Sequence, residues 1–223
     1  MTKTALVTGA AAGIGRACAL RLAEEGIAVG VLDLDLAGCE RVVAEIEAAG
    51  GKAIALKASI ADRGQVRSEV DRLRAAFGPV TILVNNAGIS EYTDFRDLTD
   101  EQWDRMFEIN TKGTFIVTQV VLPDMEAAQW GRIVNISSSS AQTGTAEQVH
   151  YASSKGAIVT MTRALANALG PMGITVNNIP PGSVLGTIMS EKNIDKATIT
   201  RLEATLPVRR VGVPEDIANA CAW

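Results

Sequence analysis

The sequence predicts an α/β fold, a doubly wound parallel sheet in three layers. Three observations carry that expectation. Short apolar runs of strand length alternate with longer stretches of helical periodicity. Most of these runs are apolar throughout, as in strands covered on both faces. A glycine-rich turn, "TGAAAGIG" (Thr8–Gly15), joins the first run to the first helical stretch.

Taken in order, the first strand is "TALVT" (Thr4–Thr8), and a helix follows over residues 14–26. "AVGVLD" (Ala28–Asp33) is the second strand, with a helix over 36–49 that Asp35 is placed to cap. "AIALK" (Ala53–Lys57) is the third, and Asp62 caps the helix over 63–76. "TILVN" (Thr81–Asn85) is the fourth. Thr99 and Gln102 then form a capping box for a long helix over 100–127. "RIVNIS" (Arg132–Ser137) and "ITVNNI" (Ile174–Ile179) are the last two strands, separated by a helix over 148–169. Pro214 opens a final helix over 215–222. Residues 183–206 are polar and less regular, and are expected to be a mobile lid over a substrate. No linker, repeat or low-complexity stretch divides residues 1–223, so a single domain is expected.

Composition narrows the function classes. A net charge of −4 with interspersed signs offers no basic footprint for nucleic acid. No apolar run is long enough to cross a bilayer, and "MTKTALVTGA" is interrupted too soon for a signal peptide. The three cysteines (Cys18, Cys39, Cys221) form no CxxC pair, so they read as buried or half-buried free thiols of a cytoplasmic protein, with no metal site. The sequon at Asn135 lies in a predicted core strand and is discounted.

The glycine turn is where an anion would be held. Gly9, Gly13 and Gly15 let the backbone turn tightly and let a pyrophosphate approach the free N–H groups at a helix N-terminus. The spacing is not G-x-G-x-x-G, and glycines at a strand-to-helix turn are weak evidence alone. Asp33 ends the second strand about 20 residues on, where an acid binds adenosine ribose hydroxyls. A carboxylate there disfavours a 2′-phosphate, so NAD is expected over NADP.

Tyr151 and Lys155 are four apart on a predicted helix and share a face. A tyrosine, with a pKa of about 10, is a poor base at neutral pH. A lysine cation beside it favours phenolate, so the phenol is expected to shift down. Ser138 sits at the C-terminal end of the fifth strand, the sheet edge where ligands bind. His150 has no metal-ligand spacing and is expected to line the pocket or face solvent. Nothing resembles G-x-S-x-G, so hydrolysis has no support.

These motifs, together with "NNAG" (Asn85–Gly88), "FEINTKG", "IVNISS", "YASSK", "PG" (Pro181–Gly182) and "GVPEDIA" (Gly212–Ala218), resemble the short-chain dehydrogenase/reductase family over nearly the whole chain. The resemblance implies a Rossmann-type fold and a catalytic tetrad of Asn110, Ser138, Tyr151 and Lys155. Tyr151 would be the general acid/base, Lys155 would lower its pKa and bind the nicotinamide ribose, and Ser138 would orient the substrate oxygen. Asn110 would kink its helix and hold a water that relays protons to Lys155. Gly9, Gly13, Ile14, Gly15, Asp33, Ser59 and Ile60 would contact the cofactor, with Asn86, Ala87 and Gly88 on its adenosine side. Pro181, Gly182, Val184 and Thr187 would meet its nicotinamide end, and Ser140 and Gln142 would join Ser138 and Tyr151 at the substrate. Glu147, Gln148 and Thr143 are also expected to face it.

Against the family's pattern, Ser59 stands where an acid is common, and Thr187 comes one residue late. The sequence stops at Trp223, directly at the last predicted helix, so the resemblance implies that the family's last strand, and its share of a subunit interface, is missing from this chain. The implied activity is hydride transfer between NAD(H) and a secondary alcohol or ketone, by a homodimer or homotetramer. Two alternatives remain: an NADPH-dependent 3-oxoacyl-thioester reductase, and a non-catalytic dinucleotide-binding sensor. Polar candidate pocket residues favour a modest polar or cyclic alcohol.

Overall fold

The computed structural model describes residues 3–186 and 196–222. Six strands form one sheet in the order β3-β2-β1-β4-β5-β6: β1 (Thr4–Thr8), β2 (Ala28–Asp33), β3 (Ala53–Lys57), β4 (Val80–Asn85), β5 (Gly131–Ile136) and β6 (Ile174–Ile179). Every pairing is parallel. Parallel neighbours need a crossover, and the periodic stretches between the strands provide it as helices. They are α1 (Gly13–Glu24), α2 (Leu36–Ala48), α3 (Arg63–Phe77), α4 (Asp100–Phe107), α5 (Gly113–Ala128), the short α6 (Ser140–Thr143), α7 (Val149–Leu169), α8 (Lys196–Thr205) and α9 (Pro214–Ala222).

Two apolar clusters cover the two faces of the sheet. One joins Leu6, Leu32, Leu56, Leu83 and Ile133 to α3 and α5. The other joins Val7, Val29, Val31 and Val84 to α1 and α2. Adjacent strand residues, such as Leu6 and Val7, therefore serve opposite cores, which is why the strands are apolar throughout. A polar ladder crosses the interior between β4 and β5. Asn85 Nδ2 donates to Asn135 Oδ1 (2.9 Å), and Asn135 Nδ2 donates to Thr162 Oγ1 (2.9 Å).

The strand order reverses between β1 and β4. At such a switch point the crossovers leave to opposite faces and open a crevice beyond the carboxyl ends of the strands. The glycine turn after β1, the loop after β4 and the serines after β5 all end there.

The expected caps hold. Asp35 accepts from Gly38 N, Asp62 from Gly64 N and Gln65 N, and Thr99 and Gln102 complete their box. Two elements differ from expectation. The helix over 100–127 is interrupted by a π turn, Glu108–Lys112, because Asn110 diverts its side chain to the loop after β4. In the predicted lid, residues 187–195, including Thr187, lie outside the described residues, whereas 196–205 form α8.

Candidate active site

The glycine turn packs too closely for any side chain at its third glycine. A Cβ on Gly15 would lie 2.1 Å from the Gly9 carbonyl oxygen. Gly9 itself has φ +64°, and a Cβ there would meet Ala87 Cα at 2.8 Å. Asn86 clamps this turn: its Nδ2 donates to Thr8 O and Gly9 O, both at 3.0 Å. Thr8 Oγ1 in return accepts from Asn86 N and Ala87 N, each at 3.1 Å. The N-cap of α1 is Ala12, and no side chain caps the helix. Its first N–H groups are left to an anion.

Asp33 closes the turn from the side. One carboxylate oxygen accepts from Ala11 N (3.2 Å), the other from Leu34 N (2.7 Å) and Asp35 N (3.2 Å). The helix-capping role belongs to Asp35 alone, which leaves Asp33 at the turn. Ile14 is half-buried against the α1–α2 core. Ser59 is half-buried, and its Oγ accepts from Ala61 N. Ile60 lies next to Ser59 in the core. It is buried, and Gly113 packs on it so closely that a Cβ would lie 2.6 Å from Ile60 Cδ1.

The tetrad residues converge from α7, β5 and the π turn. Tyr151 and Lys155 lie on one face of α7, with Nζ 5.9 Å from the centre of the phenol ring. Lys155 is 5% exposed, and Nζ donates to Ile136 O at 3.0 Å. Burial lowers its pKa to about 8. The expected downward shift of Tyr151 is not what the protein alone produces. Burial raises its pKa, and a nearby Tyr92 adds to that rise, while hydrogen bonding to Ser138 opposes it. Desolvation of phenolate outweighs the help it receives.

Ser138 Oγ accepts from Ser140 Oγ (2.8 Å) and Ser140 N (3.2 Å). Ser140 is thus a buried brace for Ser138. Gln142 and Thr143 are exposed beside it on α6. Gln148 is a further correction. It is buried, and its Nε2 donates to Ser90 Oγ at 2.7 Å. Glu147 is exposed.

Asn110 is 1% exposed. Its Oδ1 accepts from Ile89 N (2.8 Å), and its Nδ2 donates to Ile89 O (3.0 Å) and Ser154 Oγ (3.0 Å). It ties the loop after β4 to α7. Gly88 lies against this corner. A Cβ on Gly88 would meet Asn110 Oδ1 at 2.9 Å and Lys155 Nζ at 3.4 Å. Pro181 O accepts from Ser139 N at 2.9 Å, and Gly182 follows beside Ser139. Val184 is buried, and its strand-like bridge to Gly212 holds the segment after β6.

His150 overturns the expectation of a surface or pocket residue. It is fully buried, and neither ring nitrogen has a hydrogen-bond partner. Burial lowers its pKa, partly offset by Glu91. The three thiols are free, with Cys18 and Cys39 buried and Cys221 half-buried. Thr8, Ile89, Ser90 and Ser154 escaped the sequence reading, because each acts through a partner distant in the chain.

With this geometry in view, the comparisons with known proteins are specific. Residues 3–197 match the short chain dehydrogenase family. The acetoacetyl-CoA reductase of Cupriavidus necator is 36% identical over 99% of this chain and 89% of its own length. Among solved structures, an actinorhodin polyketide ketoreductase with NADPH aligns with a TM-score of 0.93 at 33% identity, over 99% of this chain and 89% of that one. An NAD+-bound xylitol dehydrogenase aligns with a TM-score of 0.93 at 32% identity, over 99% and 90%.

Proposed function

The chain belongs to the short-chain dehydrogenase family, an oxidoreductase that binds NAD(P) and acts on CH–OH or keto groups, and on that premise we propose that it interconverts a secondary alcohol and a ketone using NAD(H). The observation that carries this reading is the convergence of Ser138, Tyr151 and Lys155 beside the turn that Asp33 closes.

The residues suit the cofactor. Uncapped N–H groups of α1 and a turn with no room for a Cβ would take its pyrophosphate. Asp33 would accept from the adenosine ribose, and Lys155 would donate to the nicotinamide ribose. Bound there, the cofactor supplies or accepts the hydride.

In reduction, Ser138 and Tyr151 hold the carbonyl oxygen. As the carbonyl carbon gains the hydride, Tyr151 gives its hydroxyl proton to that oxygen, leaving an alcohol and a phenolate. Phenolate is best supported when Lys155 is charged. Asn110 fixes the corner behind Lys155, and we assign the proton relay to that corner. In oxidation the same proton returns. A polar, modest-sized alcohol fits the polar residues at the mouth.

A second reading is favoured by one comparison. The similar protein from C. necator is a reductase of acetoacetyl-CoA, so a 3-oxoacyl thioester with NADPH is the alternative. Among the described residues, no helix is long and apolar enough to cross a membrane. We also propose a cytoplasmic homo-oligomer, since three free thiols suit a reducing compartment.

The deciding experiment is titration with NADH and, separately, NADPH, read by energy transfer from the tryptophans. Tighter NADH binding supports Asp33 as ribose ligand. Tighter NADPH binding moves the thioester reading to first place. Binding of neither overturns both.

A further inference from the structure

Ser154 lies on α7 between Tyr151 and Lys155 and is wholly buried. Its hydroxyl is used twice. It donates to the carbonyl of Tyr151, one turn back, at 2.7 Å. It accepts from Asn110 Nδ2 at 3.0 Å. The polarity of this pair is forced. A backbone carbonyl only accepts, so the single proton of Ser154 is committed to Tyr151, and Oγ meets Asn110 as an acceptor. On its other side Asn110 faces Ile89, whose N–H donates to Oδ1 and whose carbonyl accepts from Nδ2. The remaining contact of Nδ2 is Met106 Sδ, a weak acceptor. Among the described residues, Ser154 is the only residue of α7 that hydrogen-bonds the Asn110 side chain.

The Asn110 carboxamide therefore bridges the loop after β4 and α7. A second tie runs from Thr111 Oγ1 to Ser154 O at 3.3 Å. Gly88 marks where the two sides meet, since a Cβ there would touch both Asn110 Oδ1 and Lys155 Nζ. Ser154 is bonded to the first of these groups and adjacent in the chain to the second.

Resting on the reading above, we propose that Ser154 is a positioning residue: through Asn110 it locks the loop after β4 to the turn of α7 that carries Tyr151 and Lys155, and so holds their reacting ends in register with substrate and cofactor. Ser154→Ala leaves one proton of Asn110 Nδ2 without an oxygen acceptor in a buried corner, which is unfavourable enough to drive the corner to shift. The glycine turn and Asp33, at the other end of the cofactor site, are untouched by the change. The loss is then felt in the chemical step and not in cofactor binding.

The first experiment needs no turnover. Amide exchange is followed by NMR in cofactor-free wild type, Ser154→Ala and, as a control, Ser153→Ala, whose serine is exposed on the same helix. Ile89 N–H is expected to exchange about tenfold faster in Ser154→Ala, the worth of one hydrogen bond, with the core amide of Leu6 changed much less. Ser153→Ala should match wild type at both. An unchanged Ile89 overturns the proposal. So does equal acceleration at Ile89 and Leu6, which would mean that the whole fold is weakened.

The second experiment measures kcat and cofactor KM on ethyl acetoacetate, with whichever of NADH and NADPH wild type oxidises faster. Ser154→Ala is expected to lower kcat about tenfold to a hundredfold, the effect of a small misplacement of reacting groups, and to leave cofactor KM within about twofold. Ser154→Thr keeps a hydroxyl and should recover most of kcat. Wild-type kcat in Ser154→Ala, or equal losses in the Ala and Thr variants, overturns the proposal. If wild type does not reduce this ketone, it is the function proposed above that fails on it, and the exchange rates decide the role of Ser154.

Discussion

Lys155 Nζ lies 3.0 Å from the carbonyl oxygen of Ile136, at the end of β5. Among the described residues it is the one hydrogen bond from this buried ammonium, and burial brings the pKa down to about 8. A lysine in such surroundings opposes folding while it is charged. Its folded pKa is below the ordinary 10.5, so between about pH 8 and 10 the unfolded chain binds more protons. Stability contributed by this group therefore rises with pH across that window.

Lys155→Met should remove the ammonium with little change of volume. We expect cofactor-free protein to become more stable at neutral pH, by roughly 1–3 kcal/mol. The difference between variant and wild type should shrink as pH climbs from about 8 towards 10. Turnover should be lost. Urea melts at several pH values check the first two outcomes, and a pH-independent difference would contradict them.

Tyr151→Phe keeps the ring and removes the proton carrier. The expected loss in kcat is about a hundredfold or more, the usual worth of a positioned acid or base. Cofactor affinity, read from tryptophan energy transfer, should change little. Near-wild-type turnover would remove Tyr151 from the mechanism.

Asp33→Ala should shift preference towards NADPH. Asp33 accepts from Ala11, Leu34 and Asp35 at the turn, so a 2′-phosphate would meet its charge. Removing that charge should raise the NADPH-to-NADH affinity ratio roughly tenfold to a hundredfold. An unchanged ratio would place the ribose elsewhere.

Gly15→Ala would drive a Cβ to 2.1 Å from the Gly9 carbonyl oxygen, which belongs to the backbone and cannot swing aside. A cost of about 1–3 kcal/mol is expected, together with weaker binding of NADH. Gly156→Ala is the control. It lies within α7 with nothing near its would-be Cβ, and should be neutral or gain up to about 1 kcal/mol. Thermal melts of both variants check the contrast.

The regular parts of this fold were legible because local rules write them. Strand length, apolar runs, the Thr99–Gln102 box and Asp62 each act within a few residues, and the observed elements match them to within a residue or two. The glycine turn was legible for a similar reason, since a backbone with no room for a side chain leaves its mark in composition. The π turn at Asn110 was written more faintly. Its cause is the hydrogen bonding to Ile89 and Ser154, on other elements.

The sequence by itself determined the parallel α/β order, the glycine turn with its acid, and a tyrosine and lysine on one helix face. Tertiary structure alone decided which of the polar residues near them stay open. Ser140 and Gln148 are turned into braces, and His150 is buried without a partner. It also raised, through burial, the phenol that local charge was expected to lower. The physical reason is that spacing along a helix reports which groups are neighbours, whereas desolvation depends on everything packed around them.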